Sequence, residues 1–403
     1  MGASHTTLAS TSVGGDEGLL PELDGGVAVT SAEGNKNAPS SKHDLSAYAL
    51  DQPLFPGSGR MMRTFRLRHK QNLSAVVLKS MYVSKEQEAL VKEQEQELTR
   101  ILEALEGQSH VAPFLYWSLG PYRQKPALSN NLPTMVRQVS LLRPYMYTTL
   151  SDRLASRPFL TNVEKLWIVY QLLQALQAMH EKGVVHGCLT TENIGLSSWN
   201  WVVILDIASY KARTALPDDD PTEYLYYFQE NYSHSYAQGT DTTRREKRCY
   251  LAPERFYTPN LEQPQPEQRR NLTPAMDIFS AGCVLMETFL NGERALDLGD
   301  LMEYRKQQSS PTLQQKFNKI EFSALRAACR HMLHLDPKER LSASAYLDRL
   351  EASELIPSSF SILATMMERV TFAAPDARLA IIASFYSKLL EATIGVHDAE
   401  GAA

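Results

Sequence analysis

The chain has 403 residues, 43% of them hydrophobic and 22% charged, a composition typical of a soluble globular protein of two or three domains. Its formal net charge of −5 argues against a general nucleic-acid-binding protein, because such a protein needs positive surface to displace counterions. The four cysteines form no CxxC pair, so we expect free thiols in a reducing compartment and no structural zinc. The sequence has no run of about 18 apolar residues, so we expect a cytoplasmic protein without a transmembrane helix.

Residues 1–45 are predicted to form a disordered arm, because they are rich in Gly, Ser, Thr, Ala and Asn and have little apolar surface to bury. The arm begins MGASHT, which matches the N-myristoylation pattern M-G-x-x-x-[ST] with Gly2 as the acceptor. The pattern is short, so a chance match is the alternative interpretation. One myristoyl chain gives only marginal, reversible membrane binding, so a second membrane signal would have to come from partners.

Residues 46–143 are predicted to form a small β-sheet with one helix. The helix is predicted at 86–107, where Leu and Ile recur at helical spacing before Gly107 ends the pattern. Strands are predicted, from their apolar and β-branched composition, at 60–69, 74–83, 111–120 and 135–145.

Residues 144–350 are predicted to be mostly helical, followed by a helical tail at 351–403 that could begin a helical array. Helices are predicted at 148–157, 163–183 and 275–292, with amphipathic tail helices around 358–370 and 377–392. Short strands are predicted around 184–187, 193–196 and 201–206. Two polar stretches, 212–248 and 257–272, are predicted to be surface loops, and the tyrosine-rich part of the first (223–236) is either a partner contact or a disordered insert.

Lys79 ends the strand motif VVLK, which resembles the V-A-I-K strand of protein kinases. In that motif the lysine holds the α- and β-phosphates and pairs with a glutamate of the following helix. Our choice for the glutamate is Glu97, with Glu93 and Glu95 as alternatives. Because exposed strand lysines are common, VVLK alone is weak evidence for a kinase. Its position before the later kinase-like motifs strengthens that evidence.

The glycine-rich loop that covers nucleotide phosphates is degenerate in this chain. The stretch PGSGRMMRTF contains Gly57 and Gly59 but no third glycine, so we expect weaker nucleotide affinity; an ordinary turn is the alternative. Leu141 and Tyr145, at the end of the last predicted strand of the sheet, complete the predicted nucleotide-binding residues.

The stretch HGCLTTEN resembles the kinase catalytic loop H-R-D-L-x-x-x-N. His186 and Asn193 match, and Asn193 is expected to bind a second Mg²⁺. Gly187 replaces the arginine, Cys188 replaces the catalytic aspartate, and Thr190 stands where a phosphate-facing lysine is usual. A thiol is a poor hydrogen-bond acceptor, and the loss of a positioned general base typically costs about 10²–10⁴-fold in rate. A redox or nucleophilic role for Cys188 is the less favoured alternative, since His186 is its one obvious activating neighbour.

Four further residues complete the series of motifs. Asp206 opens DIAS in place of D-F-G and keeps the carboxylate that Mg²⁺ needs. Glu254 closes the A-P-E motif, Asp277 resembles the structural aspartate of the central helix, and Arg340 resembles the arginine that pairs with the A-P-E glutamate. The order of these motifs predicts an α+β protein-kinase fold with a small β-rich N-lobe and a larger α-helical C-lobe.

One family is similar to this chain over about residues 46–390. The resemblance rests on TENIGLSSWNWVVILDIASYK, CYLAPERF, LTPAMDIFSAGCVLMETF and RPFLTNVEKLWIVYQ, which resemble the regulatory subunit of class III phosphatidylinositol 3-kinase, the vacuolar protein sorting-associated protein 15 family. The resemblance implies a myristoylated Gly2 and a kinase-like domain that holds and regulates the lipid-kinase catalytic subunit, with autophagy and endosomal cofactors as further partners. It also implies a peripheral location on endosomal or autophagic membranes. The family usually keeps the loop aspartate, from which Cys188 departs.

Two hypotheses follow. In the first, the chain is a pseudokinase-like scaffold that keeps Lys79, Asn193 and Asp206 to bind ATP or GTP with Mg²⁺ but transfers phosphate poorly. In the second, it is an active serine/threonine protein kinase that transfers the γ-phosphate of ATP to protein Ser or Thr. Cys188 together with Thr190 favours the first hypothesis.

Overall fold

The computed structural model describes most of the chain beyond the N-terminal arm. It covers residues 47–53, 63–84, 88–259 and 272–400, apart from stretches inside the last two ranges at 113, 115, 121–122, 126–133, 208–215, 223, 225–227, 229–247 and 308–309. The predicted acceptor Gly2 and the predicted turn with Gly57 and Gly59 lie outside the described residues.

The secondary structure divides into strands, mostly early in the chain, and helices, mostly late. The strands are β1 (Tyr48–Pro53), β2 (Arg63–His69), β3 (Ala75–Ser84), β4 (Val111–Ala112), β5 (Tyr116–Leu119), β6 (Arg123–Lys125), β7 (Thr134–Pro144), β8 (Ile194–Leu196), β9 (Val202–Leu205), β10 (Leu216–Pro217) and β11 (Phe256–Tyr257). The helices are α1 (Glu88–Ala104), α2 (Leu150–Ala155), α3 (Asn162–Glu181), α4 (Pro274–Phe289), α5 (Leu298–Gln307), α6 (Pro311–Asn318), α7 (Ser323–Met332), α8 (Ala343–Ala352), α9 (Ser359–Phe372) and α10 (Pro375–Glu400).

The N-terminal lobe is a six-stranded antiparallel sheet in the order β1-β2-β3-β7-β5, with β6 also paired to β7. The predicted strands at 60–69, 74–83 and 135–145 and the predicted helix at 86–107 are confirmed as β2, β3, β7 and α1. The prediction of one strand at 111–120 is wrong. That segment splits, because β4 pairs with β9 of the C-terminal lobe whereas β5 pairs with β7.

The two faces of this sheet carry different clusters of side chains. Leu141 of β7 packs with Leu98 of α1, whereas the next residue, Leu142, belongs to the cluster on the opposite face. Successive side chains of a strand point to opposite faces, so Arg143 lies on the same face as Leu141. Lys79 is the residue of β3 paired directly with Leu141, and it therefore lies on that face as well.

Helix α3 is the centre of the C-terminal lobe. Thr161 and Glu164 form a capping box that satisfies the first amide groups of the helix. Its residues are buried almost all round, which is typical of a core helix rather than a surface one. The predictions of helices at 148–157, 163–183 and 275–292 are confirmed as α2, α3 and α4, and β8 and β9 confirm the strands around 193–196 and 201–206.

Two sequence predictions in this lobe are wrong. Residues 184–187 form no strand, because the amide groups of His186 and Gly187 donate to the side chain of Asp277 rather than to a neighbouring strand. Residues 212–248 are not a surface loop throughout. Within this segment β10 pairs in parallel with β11, and Tyr224 is 5% exposed with its hydroxyl donating to the Arg248 carbonyl oxygen at 2.8 Å. The rest of the tyrosine-rich stretch lies largely outside the described residues, as does most of 257–272.

The two predicted tail helices are confirmed as α9 and α10. Phe360 of α9 packs edge-on against Trp167 of α3, with ring centroids 5.2 Å apart, so the tail begins against the back of the C-terminal lobe. Across the described part of the chain, none of the helices combines the length and apolar content that crossing a bilayer would require.

Candidate nucleotide-binding and catalytic site

Asp206 is the charged centre of the cleft between the lobes. It follows β9 with a left-handed backbone (φ 60°), a conformation that aspartate tolerates better than most residues. Its carboxylate lies 2.6 Å from the Lys79 Nζ and 2.5 Å from the Arg143 Nε, and Arg143 Nη2 donates to the second oxygen at 3.3 Å. Burial by itself would raise the pKa of Asp206, but the charges of Arg143 and Lys79 outweigh burial and hold that pKa well below its ordinary value.

The predicted ion pair between Lys79 and Glu97 is not formed. Lys79 pairs with Asp206, whereas Glu97 accepts two hydrogen bonds from Arg100 at 2.8 and 2.7 Å. Glu97 and Arg100 are three residues apart on α1, a spacing that places them side by side on one helix face. The side chains of the alternatives, Glu93 and Glu95, lie outside the described residues.

The catalytic-loop backbone is anchored to α4 by one buried carboxylate. Asp277 is fully buried and accepts from the backbone N–H groups of His186 (2.7 Å) and Gly187 (2.8 Å) and from His180 Nε2 at 3.0 Å. Gly187 has φ +70°, and a Cβ at that position would overlap the side chain of Leu272. These two constraints explain why this chain has glycine where the kinase motif has arginine.

His186 is a structural residue of the loop and not a base for the neighbouring thiol. Its Nδ1 accepts from the Cys188 amide at 3.1 Å, so its Nε2 carries the proton and donates to the Leu205 carbonyl oxygen at 2.8 Å. Both ring nitrogens are therefore engaged by backbone groups. All four cysteines are buried free thiols, which agrees with the expectation of free thiols.

The remaining loop residues are held by local hydrogen bonds. Asn193 Nδ2 donates to the Cys188 carbonyl oxygen at 2.8 Å, and the Thr190 hydroxyl caps the following turn by accepting from the Asn193 amide at 3.2 Å. Cys188 itself is 5% exposed. The structure thus brings Cys188, Thr190 and Asn193 together and gives Thr190 a capping bond where a kinase would present a lysine.

Glu254 and Arg340 lie together on the C-terminal lobe, as the motifs predict. The Arg340 guanidinium donates to the two carboxylate oxygens of Glu254 at 2.7 and 2.9 Å and to the His334 carbonyl oxygen at 2.8 Å. Its side chain is completely buried. This bidentate pair holds the A-P-E segment against the helical core.

The other predicted nucleotide-binding residues have different surroundings. Leu141 is 1% exposed and belongs to the hydrophobic cluster with α1. The Tyr145 hydroxyl accepts from Arg66 at a long 3.5 Å, and its ring contacts that of Tyr147 edge-on. Tyr145 directly follows β7.

Sequence reasoning missed two arginines of this site. Arg143 reaches Asp206, and Arg255 donates to the Gly187 carbonyl oxygen at 3.2 Å from the residue that follows the A-P-E motif. Burial lowers the pKa of Arg255. A signal for Arg143 exists in the sequence: it lies two residues after Leu141, so the alternation of a strand puts it on the cleft face.

The arrangement around Asp206 does not fit a bound Mg²⁺. Mg²⁺ needs carboxylate oxygens in a nearly ideal octahedral shell. Both oxygens of Asp206 are already engaged by Lys79 and Arg143, so a divalent cation would meet two positive groups at contact distance. Asn193, the other predicted metal ligand, donates its Nδ2 to the Cys188 carbonyl oxygen, a bond that does not involve Oδ1, the atom that would ligate a cation.

A family model described as "Protein kinase domain" matches residues 55–350, which is most of the chain and contains every kinase-like motif described above. The chain belongs to the protein kinase family. Its kinase domain is similar to "Serine/threonine-protein kinase VPS15" of Arabidopsis thaliana, with 36% identity over 79% of this chain and 19% of that protein. It is also similar to "Serine/threonine-protein kinase vps15" of Schizosaccharomyces pombe, with 35% identity over 79% of this chain and 16% of that protein.

A third relative, "Serine/threonine-protein kinase VPS15" of Saccharomyces cerevisiae, is 36% identical over 52% of this chain and 13% of its own length. The kinase chain described here therefore spans less than a fifth of each of these relatives. The predicted resemblance to the vacuolar protein sorting-associated protein 15 family is confirmed.

Proposed function

We propose that this kinase domain serves as a regulatory and scaffold part of a class III phosphatidylinositol 3-kinase complex in endosomal sorting and autophagy. It binds a nucleotide in its cleft and transfers phosphate poorly. The observation that carries the proposal is Cys188, a buried thiol at the position of the catalytic carboxylate inside a loop that is otherwise held as in a kinase.

The chemistry of the loop supports the loss of transfer. A cysteine thiol cannot replace an aspartate as the acceptor of a hydroxyl proton, and loss of such a base typically lowers a rate by about 10²–10⁴-fold. Thr190 adds no positive charge near a transferring phosphate. Asp277 accepts from the amides of His186 and Gly187, and Asn193 donates to the carbonyl oxygen of Cys188. These bonds support a loop whose fold is kept although its phosphate transfer is poor.

The proposed partners follow from the relatives. Three proteins named VPS15 are similar to this chain, and their family resemblance supports association with the lipid-kinase catalytic subunit and with autophagy and endosomal cofactors. Gly2 is the proposed site of myristoylation. Because one acyl chain binds a membrane only marginally, we propose that the complex adds the second contact with the endosomal or autophagic membrane.

Two measurements on the purified chain test the proposal. The first is transfer of labelled phosphate from ATP and GTP, compared with Asp206→Ala as the background and with Cys188→Asp. We expect wild-type transfer no higher than the background, and any gain from Cys188→Asp would identify the missing carboxylate as a limiting defect. The second is co-purification with the co-expressed class III phosphatidylinositol 3-kinase catalytic subunit, which we expect for the wild type and for Asp206→Ala alike.

The alternative function is that of an active serine/threonine protein kinase. It is favoured by the retained Lys79, Asn193 and Asp206 and by the names of the similar proteins, which are serine/threonine-protein kinases. Wild-type transfer to protein Ser or Thr that disappears in Asp206→Ala would establish this alternative and refute a purely scaffolding role.

A further inference from the structure

The cleft holds more positive charge than its one central carboxylate balances. Lys79 and Arg143 both contact Asp206, so this set of three side chains carries a net charge of about +1 at neutral pH. All three are nearly inaccessible to solvent, with exposed fractions of 4% for Lys79, 9% for Arg143 and 4% for Asp206. A buried excess charge is costly unless it meets a counter-ion, so the set favours an anionic ligand.

Arg143 connects the two lobes next to Lys79 and Asp206. It lies on β7 directly opposite Val77 and on the face of the sheet that also carries Lys79 and Leu141. From there its side chain spans the cleft to Asp206, at the end of β9 in the other lobe. The guanidinium therefore lies between the sheet and the residue that a kinase uses to hold the metal.

The two cations have hydrogen-bond donors to spare. Among the described residues, three of the five N–H groups of Arg143 are engaged, two by Asp206 and one by the Pro144 carbonyl oxygen at 3.0 Å. The ammonium of Lys79 has three N–H groups, and its contact within the described part of the chain is with Asp206. Phosphate oxygens are the ligand atoms that best match a guanidinium and an ammonium side by side.

A divalent cation would have to displace these groups. Its ligand in an ordinary kinase is the carboxylate that Arg143 and Lys79 occupy here, and a doubly charged ion at that carboxylate would repel both. The arginine itself supplies one of the positive charges that Mg²⁺ would otherwise bring to the phosphates.

We propose that Arg143 takes the place of the metal, so that Lys79 and Arg143 bind the phosphates of a nucleoside triphosphate without a divalent cation. This inference rests on the nucleotide binding included in the proposed function and specifies how that binding is achieved. It also supplies a second reason for poor phosphate transfer, because a fixed guanidinium in place of Mg²⁺ cannot hold the β- and γ-phosphates as a bridging metal does.

The test is calorimetric titration of the purified chain with ATP and GTP, in EDTA and in MgCl₂, together with the variant Arg143→Leu. For the wild type we expect binding of at least one nucleotide, with dissociation constants in the two buffers that agree within about twofold. For Arg143→Leu we expect at least about tenfold weaker binding in EDTA, the loss typical of one charge-assisted hydrogen bond to a phosphate. In MgCl₂ this variant should regain nucleotide affinity, because Asp206 then lacks the Arg143 guanidinium and can bind Mg²⁺.

The matched control is Arg68→Leu. Arg68 is on β2 of the same sheet and pairs with Asp51 at 3.0 Å, with 42% of its side chain exposed. Its removal should leave nucleotide affinity unchanged in both buffers. Thermal unfolding of each variant shows whether it is folded, and Arg143→Gln, which keeps a polar side chain of similar length, replaces Arg143→Leu if the latter is not.

Three outcomes would overturn the inference: wild-type binding that needs MgCl₂, equal loss of affinity in Arg68→Leu and Arg143→Leu, or no binding of either nucleotide in either buffer. The first and third need no variant and so do not depend on its folding. These failures are distinguishable from failure of the scaffold function, because co-purification with the lipid-kinase subunit is measured separately. A chain that enters the complex but binds nucleotide only with MgCl₂ would retain the scaffold role and lose the metal-free site.

Discussion

Replacement of Asp277 by alanine should strongly destabilise the protein, because this carboxylate bonds the catalytic loop to α4. The substitution leaves the buried amide of His186 and the partly buried amide of Gly187 without their acceptor. Each unsatisfied buried N–H costs about 1–3 kcal/mol. His180 loses its partner as well. We therefore expect the free energy of unfolding to fall by about 3–5 kcal/mol, which places the change among the most damaging single substitutions.

The assay is urea denaturation followed by tryptophan fluorescence. Asp277→Asn should recover only part of the loss, because one carboxylate oxygen becomes an NH₂ group that faces an N–H donor. The matched control is Asp348→Ala, an exposed aspartate of α8, which should change stability by less than about 0.5 kcal/mol. A loss below about 1 kcal/mol for Asp277→Ala, or equal losses at the two positions, would refute the reasoning.

Further predictions concern other buried contacts. Arg340→Met should lower the free energy of unfolding by about 3 kcal/mol, because Glu254 loses its bidentate partner and the buried guanidinium is removed. Urea denaturation measures this loss, and an unchanged free energy of unfolding would contradict the prediction. Gly187→Ala should lower the free energy of unfolding by about 1–2 kcal/mol because of the positive φ, and by more if the Leu272 side chain cannot move. An unchanged midpoint of urea denaturation would contradict this prediction. Burial lowers the pKa of His110, whose ring stacks on Trp201, so the folded state keeps this ring neutral. The unfolded state then binds the extra proton below about pH 6.5, and the free energy of unfolding should decrease as pH falls from 7 to 5, a decrease that His110→Phe should reduce.

Motif order was enough to predict the two-lobed fold and most of the residues at its centre. Glu254 and Arg340 lie together as a pair, and Asp277 bonds the backbone of the loop that contains His186. These residues satisfy backbone groups and charges that any kinase fold must satisfy, so their spacing along the chain carries the information. The same holds for α1 and α3, whose apolar periodicity alone predicts their position.

The sequence did not predict in the same way which side chains form ion pairs and hydrogen bonds with each other. Lys79 was expected to pair with Glu97, but the choice depends on how far α1 lies from β3, and in the structure Asp206 is at 2.6 Å. The predicted strand at 184–187 failed for a related reason: its amides are bonded by Asp277, a residue about 90 positions away, rather than by a strand.

The two-lobed fold, the order of most of its elements and a cysteine at the aspartate position of the loop motif can be derived from the sequence alone, because each of these depends on local pattern and residue chemistry. The arrangement of charges between the lobes depends instead on the tertiary structure. Arg143 belongs to no motif, and its role appears only when β7 and the end of β9 bring its guanidinium to the Asp206 carboxylate. Electrostatic interaction energies depend on distances between residues remote in the chain, and those distances are set by packing.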